Sequence, residues 1–372
     1  MRVMAAPTAS AVPAASPRRG RTWLVVAAVL ALVAAGGLAL LPGGPAEPAR
    51  GGTKVVVPLS PVGGEQPDGS TQTRANAYDE VTRAAADGAA GVRVTADLSW
   101  LCDADRSCTT APLDPLVERA DELGLRFYLH VNSTPQWMDP RGTWFAPVGP
   151  DAEVWAGLFA QLVERFGTRV AGYEVWNEPN LVEAWRQGPD PRQYAGLLKA
   201  VWTAADAVDP DAQIIGGILS NNDLGYMHEL STALADLGGN ASNRFFYDQL
   251  GVHPYAGGDG VGYDPLEEAG SRDVETPYGV KDMTFLGLER LRAQVHADEG
   301  IWRDVVVGEF GYDRTPGNWY FVPEPRRGEY LAAALDRAAA WPWLQGVTVY
   351  TGEGFAIAGT PSADVLERDA DR

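Results

Sequence analysis

Eight short β-branched runs alternate with amphipathic stretches rich in Ala, Leu, Arg and Glu, and no glycine-rich phosphate loop follows any early run. That alternation predicts an α/β fold with a parallel sheet, and eight strands in about 320 residues is the arithmetic of a (β/α)8 barrel. A chain of 372 residues suits one such barrel better than two small domains. A doubly wound sheet is the alternative use of the same pattern, and it lacks its phosphate loop here.

The first strand is read at 54–59 (KVVVPL), followed by a helix at 74–88. The second, at 91–97 (GVRVTAD), leads into a helix at 112–123, and the third, at 125–131 (LRFYLHV), into one at 150–166. The fourth spans 170–177 (VAGYEVWN) before a helix at 191–208; the fifth spans 213–219 (QIIGGIL) before one at 224–237. Strands at 250–255 (LGVHPY), 304–310 (DVVVGEF) and 346–351 (GVTVYT) complete the eight, with helices at 283–298 and 326–341 and a short last one at 362–369. No second domain and no repeat of fixed period is visible.

Ahead of the barrel, expected over 53–372, three segments differ in composition. Residues 1–22 are basic, Trp23 to Leu41 carries no charge for 19 residues, and 42–52 (PGGPAEPARGG, from Pro42) reads as a flexible linker. An apolar run of that length after arginines reads either as an uncleaved signal anchor with a cytoplasmic basic flank or as a cleaved signal peptide. Either way the body is expected to be exported, membrane-anchored at the cell surface or secreted. The first 50 residues hold five arginines and Glu47, which leaves 25 basic and 48 acidic residues in the remainder. A balance of −23 argues against a nucleic-acid partner, because phosphate contacts need clustered cations. In an oxidising compartment Cys102 and Cys108 are expected to pair and close a local loop; a redox or metal pair is the alternative, with no CxxC spacing to support it.

Two strings carry chemistry. Tyr173 to Asn180 reads YEVWNEPN and Val305 to Gly311 reads VVVGEFG, each an apolar run ending in a glutamate followed by turn residues. Glycosidic cleavage by double displacement needs two carboxyl groups about 5 Å apart, one nucleophile and one acid/base. Glu178 and Glu309, at the C-terminal ends of two strands of one barrel, would supply that pair where barrel enzymes build their sites. Other strand ends gather hydrogen-bonding and aromatic residues as well: Arg93, Trp100, Asn132 to Trp137, His253-Pro-Tyr255 and Tyr350.

YEVWNEPN resembles the strand-four motif of clan A glycoside hydrolases, retaining (β/α)8 enzymes, and VVVGEFG looks like the clan's strand-seven motif. STPQWM at 133–138 and FYDQLGVHPY at 246–255 are similar to segments of cellulase-like and family thirty-nine-like members, and the resemblance runs from about Lys54 to the C-terminus. It implies Glu178 as general acid/base and Glu309 as nucleophile. It further implies Asn177 on the sugar 2-hydroxyl, Tyr255 touching the nucleophile, and Arg93 holding Glu309 ionised. For Arg93 a salt bridge to a buried carboxylate such as Glu174 is the other reading, and His253 either shapes the sugar site or is structural. A strand period of two puts Glu174, Trp176 and Glu178 on one face, so Glu174 is expected inside the barrel as a paired structural carboxylate. The clan often ends strand eight with a tryptophan; here Tyr350 takes that place, which leaves the preferred sugar open.

Of the 12 tryptophans, Trp100, Trp137, Trp144, Trp185 and Trp319 fall in loops at the catalytic face, where they either stack on sugar rings or cover the barrel mouth. Trp319 and Tyr320 are placed to wall the cleft, and Glu353 either touches a hydroxyl or is solvated. The four histidines have no metal-ligand spacing, and no GxSxG elbow is present. The expected protein is thus a retaining glycoside hydrolase without metal or cofactor, acting on a β-linked polysaccharide. A transglycosylase with the same residues and a non-catalytic glycan-binding barrel are the alternatives.

Overall fold

The computed structural model describes residues 54–59, 74–357 and 359–364. The basic stretch 1–22, the apolar stretch 23–41 and the linker 42–52 lie outside the described residues, as does the Glu353 side chain. So does most of the expected last helix; its beginning is helical at 361–364. No helix among the described residues is long and apolar enough to cross a membrane.

Eight parallel strands close into a barrel: β1 Val55–Pro58, β2 Gly91–Asp97, β3 Arg126–Asn132, β4 Gly172–Val175, β5 Ile214–Ser220, β6 Gln249–His253, β7 Val305–Phe310 and β8 Leu344–Val349. Each pairs with its successor, and β8 closes on β1 through Val55↔Val347 and Val56↔Thr348. The helices α1 Arg74–Ala86, α2 Asp114–Glu122, α3 Pro150–Phe166, α4 Pro191–Asp206, α5 Leu224–Asp236, α6 Gly287–Glu299 and α7 Arg326–Ala339 fill the connections. The (β/α)8 architecture predicted from the alternation is the one observed.

The strands are continuous apolar runs because both of their faces are covered, as in any barrel wrapped by helices; β5 is buried at every position. Helix starts follow local chemistry. Proline at the first turn opens α3 and α4, and the Asp190 side chain accepts from the amides of Arg192 and Gln193 to cap α4. Asp223 caps α5 through the Tyr226 amide. The helix expected from 283 begins only at Gly287, because the Thr284 hydroxyl accepts from the Gly287 amide while Asp282 takes the Thr284 amide and hydroxyl. A local turn of this kind competes with helix at that point.

Two apolar cores result. The larger lies between strands and helices; the smaller, of Val56, Tyr128, Ile215, Ile218 and Val306, plugs the inside of the barrel. Each fully buried Val or Ile of this plug is worth roughly 1.5–3 kcal/mol relative to exposure. The plug seals the lower barrel, so polar groups are held above it, toward the C-terminal ends of the strands.

Two expectations need correction. The fourth strand ends at Val175 rather than 177, and Trp176 turns outward instead of sharing the inner face with Glu174. At Trp176 the backbone enters the left-handed region (φ 69°), and the ring packs edge-on against Trp155 and Trp185 in the outer core. Trp185, expected in a loop at the catalytic face, is likewise fully buried in that core. The glycine-rich stretch at 257–262 forms a small hairpin, Gly257–Gly258 against Val261–Gly262, in the connection after β6.

Candidate active site

Inward-facing side chains stack in tiers above the apolar plug. On β2 and β3 the period of two lifts Arg93, Thr95, Tyr128, His130 and Asn132 onto the inner face, and His130 sits in register with Glu174 of β4. Arg93 grips Glu174 with two parallel bonds, Nε to Oε1 at 2.8 Å and Nη2 to Oε2 at 2.7 Å. Its remaining nitrogen, Nη1, lies 3.6 Å from Glu309 Oε1. Arg93 therefore pairs the buried carboxylate of Glu174, and its third nitrogen stands within ion-pair distance of Glu309.

The electrostatics of this tier follow from burial and that one cation. Burial alone would raise the Glu174 carboxyl, but the Arg93 guanidinium overturns it and holds the group at about 2. His130, which shares a 3.2 Å contact with the Thr95 hydroxyl, is pushed down to about 3 by burial and by Arg93, so it is neutral. Glu174 is the paired structural group expected of it.

The tops of the strands depart from regular geometry, and Glu178 and Glu309 sit at those departures. Glu178 has φ 40°, and its amide donates to the Ile218 carbonyl at 3.0 Å. Asn180 fixes the same turn to the end of β5, accepting from the Ser220 amide (2.9 Å) and donating to the Ser220 carbonyl (3.0 Å) and to Asp223 (3.0 Å). Ile218 and Asn221, at φ 50° and 56°, continue the strained path. On the far side a register shift between Val307 and Phe310 re-aims Glu309. Gly308 leaves room for the His253 ring there. A Cβ on it would stand 2.8 Å from His253 Nε2 and 3.4 Å from Glu174 Oε2.

His253 joins the two glutamates. Its Nδ1 lies 3.0 Å from Glu178 Oε1 and 4.0 Å from Glu309 Oε2, which keeps those oxygens within about 7 Å of one another. Burial would lower this imidazole, yet the Glu309 charge and the bond to Glu178 outweigh it and hold it above the ordinary histidine value. The Tyr255 hydroxyl donates to Glu309 Oε2 at 3.0 Å. Burial, with the two carboxylates adding, keeps that phenol protonated far above its usual range. His253 therefore links Glu178 and Glu309, and Tyr255 and Arg93 both reach toward Glu309.

The other expected residues are spread around this centre. Asn177 is half-buried, and neither its Oδ1 nor that of Asn132, two residues past His130, has a hydrogen-bond partner among the described residues. Tyr350 meets Tyr255 edge-on at 6.4 Å, the position of a side wall. Trp100 and Trp319 are exposed, at 54% and 60%. Trp137 instead donates through Nε1 to the Cys102 carbonyl (3.1 Å) and packs on the core, bracing the loop closed by the Cys102–Cys108 disulfide. His130, Asn180 and Gly308 were not singled out in the sequence. Alternation along RFYLHVN does place His130 inward with Tyr128; nothing local marks Gly308.

No family model and no curated protein sequence matches the chain. Solved structures do. A family 39 glycoside hydrolase from Bacteroides cellulosilyticus WH2 aligns with TM-score 0.55 at 19% identity, over 84% of this chain and 63% of that one. A monomeric beta-xylosidase from Caulobacter crescentus CB15 gives 0.55 at 16%, over 85% and 67%, and Thermotoga maritima Cel5A gives 0.52 at 16%, over 84% and 94%. The chain thus spans somewhat less than two thirds of the family 39 structure. At these identities the likeness is one of fold, and the fold it shares is the (β/α)8 barrel.

Proposed function

We propose that the protein is a retaining glycoside hydrolase of clan A, family thirty-nine-like, that cleaves a β-linked polysaccharide outside the cytoplasm. The observation that carries the reading is His253 lying between two strand-end glutamates, with oxygens no more than about 7 Å apart. Retaining enzymes hold their carboxyl groups about 5–5.5 Å apart, and most of the inverting range lies beyond the bound. The fold likeness to a family 39 glycoside hydrolase, a beta-xylosidase and Cel5A supports a sugar substrate. The apolar stretch 23–41 supports export, as anchor or cleaved signal.

In the first step the Glu309 carboxylate attacks the anomeric carbon while the bond to the leaving oxygen breaks and Glu178 gives that oxygen its proton. In the second, Glu178 takes a proton from water, whose oxygen displaces Glu309 and restores the carboxylate. The Tyr255 hydroxyl, at 3.0 Å, and the Arg93 guanidinium, at 3.6 Å, orient Glu309 for attack. Asn177 immediately precedes Glu178, and a bond from its amide to the sugar 2-hydroxyl would strengthen in the transition state.

The test is hydrolysis of aryl β-glycosides and soluble β-glucans, xylans and mannans by the purified protein, beside Glu178→Ala and Glu309→Ala with azide. The expected products are the retained-configuration azide from Glu178→Ala and the inverted one from Glu309→Ala. Transfer to sugar acceptors in preference to water would make it a transglycosylase. Glycan binding that persists unchanged in Glu309→Gln, with no turnover, would make it a binding barrel and sink the proposal.

A further inference from the structure

The loop between β7 and α7 presents two adjacent aromatic residues in opposite environments. Trp319 is exposed, whereas Tyr320 stacks face-to-face on Tyr255, centroids 4.7 Å apart and planes 22° apart. Tyr255 is the residue whose hydroxyl reaches Glu309. Its ring is boxed on the other sides by Phe355 at 5.7 Å and Tyr350 at 6.4 Å, both edge-on. Among the described residues, Tyr320 is the aromatic ring that stacks along its face. Asn221 holds the Tyr255 backbone, its Nδ2 donating to the Tyr255 carbonyl at 2.5 Å.

The loop itself is seated on the hairpin after β6. The Gly262 amide donates to the Phe321 carbonyl at 2.7 Å and the Asp313 amide to the Tyr320 carbonyl at 3.0 Å. At Gly257 a Cβ would stand 2.5 Å from the Trp319 carbonyl and 2.8 Å from Tyr320 Cδ1, so a side chain there displaces Tyr320. A tyrosine ring can swing about its Cα–Cβ bond, and a hydroxyl at its tip sweeps the widest arc. Stacking on the ring face opposes that swing.

We propose that Tyr320 is a positioning residue for Glu309: its ring fixes the Tyr255 ring, and the Tyr255 hydroxyl in turn fixes and polarises the carboxylate. The proposal rests on Glu309 being the nucleophile only for its kinetic consequences; the geometric coupling is independent of it.

The experiment is to determine crystal structures of wild type, Tyr320→Leu, Tyr320→Phe and Gly257→Ala, with steady-state kinetics on an aryl glycoside. In Tyr320→Leu and Gly257→Ala the Tyr255–Glu309 separation is expected to lengthen from 3.0 Å to beyond hydrogen-bond reach, about 3.5 Å. kcat is expected to fall roughly 10- to 100-fold with KM little changed, and the acid limb of kcat/KM to move to higher pH. Tyr320→Phe, which keeps the stack, is expected to restore both. In a Tyr255→Phe background, adding Tyr320→Leu is expected to cost nothing more, as for two residues acting in series. A Tyr255–Glu309 contact that stays near 3.0 Å in both Tyr320→Leu and Gly257→Ala, or additive losses in the double variant, would overturn the proposal. A protein without glycosidase activity would defeat the reading of the site, and the crystallographic separation would still decide the role of Tyr320.

Discussion

Gly308→Ala tests whether His253 is held by the packing beneath it. The added Cβ would stand 2.8 Å from His253 Nε2 and 3.1 Å from Cδ2, where ordinary contact begins at 3.4 Å. The ring must therefore retreat by about 0.6 Å, and it is fully buried with no slack. Overpacking of this kind costs roughly 1–3 kcal/mol. Gly308 does not use the left-handed region, so alanine regains roughly 0.4–1 kcal/mol by restricting the unfolded chain. The net loss is roughly 0–2.6 kcal/mol, a fall in Tm of no more than about 4 °C for a barrel of this size. The larger effect is on turnover: a comparable shift of Nδ1 spoils its 3.0 Å contact with Glu178, and kcat is expected to drop roughly 10- to 100-fold. Thermal unfolding by circular dichroism and hydrolysis of an aryl β-glycoside measure the two quantities. Gly196→Ala in α4, where a Cβ meets nothing within 4 Å, is the control and should gain about 1 kcal/mol. An alanine at 308 with unchanged Tm and kcat would refute the packing argument.

Glu174→Gln leaves Arg93 buried without its bidentate partner, so urea unfolding should report a loss of about 3–5 kcal/mol even though Glu174 takes no part in bond cleavage. Acid should weaken the fold in two stages. His130, at about 3 when folded against an ordinary 6.5, takes its proton first in the unfolded chain, so stability falls as pH drops from 6.5 toward 3. Glu174, at about 2 against 4.5, adds a further loss as pH drops below 4.5; urea midpoints from pH 3 to 6.5 should flatten above pH 4.5 in a His130→Gln variant. Replacing both Cys102 and Cys108 by serine opens a loop of sequence separation 6 and should cost about 2 kcal/mol by chain entropy, read as a lower denaturant midpoint.

The barrel was legible because its signal is repeated eight times. A missed boundary in one strand, such as the two residues trimmed from each end of β4, leaves the alternation intact. The glutamates were legible for a different reason: each follows an apolar run at the place where a barrel strand meets solvent. What the period of two misjudged was Trp176. Alternation assumes extended backbone, and at 176 and 178 the backbone has φ 69° and 40°. One residue in the left-handed region turns the tryptophan into the outer core and frees the next positions to face the cleft. Trp185 was misplaced because exposure was inferred from its loop. Its ring fills a space that Trp176 and Tyr194 create from other elements. Such a space is a property of assembled helices and cannot be read from neighbours in sequence. Gly308 is silent for the same reason, since the atom it accommodates belongs to a residue 55 positions away in the chain.

These misjudged positions and the candidate chemistry coincide, and the coincidence has a physical cause. A regular strand alternates its side chains between the inner layer and the outer core, so a carboxylate at its tip would continue the buried column below. Glu174 does continue it, and Arg93 neutralises it there. To stand above that column, half-exposed and beside a second carboxylate, Glu178 needs a backbone that leaves the strand path. The left-handed turns at 176 and 178 supply it on one side and the register shift at 307–310 on the other. Strain of this sort costs of order 1–3 kcal/mol per residue and persists only where surrounding bonds over-determine it. Here those bonds run from the Glu178 amide to Ile218, from Asn180 to Ser220 and Asp223, and from His253 to Glu178. Asn180 is thereby given a purpose that its place in the motif left unexplained. Cutting its two anchors with Asn180→Ala should release the turn, lowering kcat while the buried Arg93–Glu174 pair, and most of the stability, stay in place.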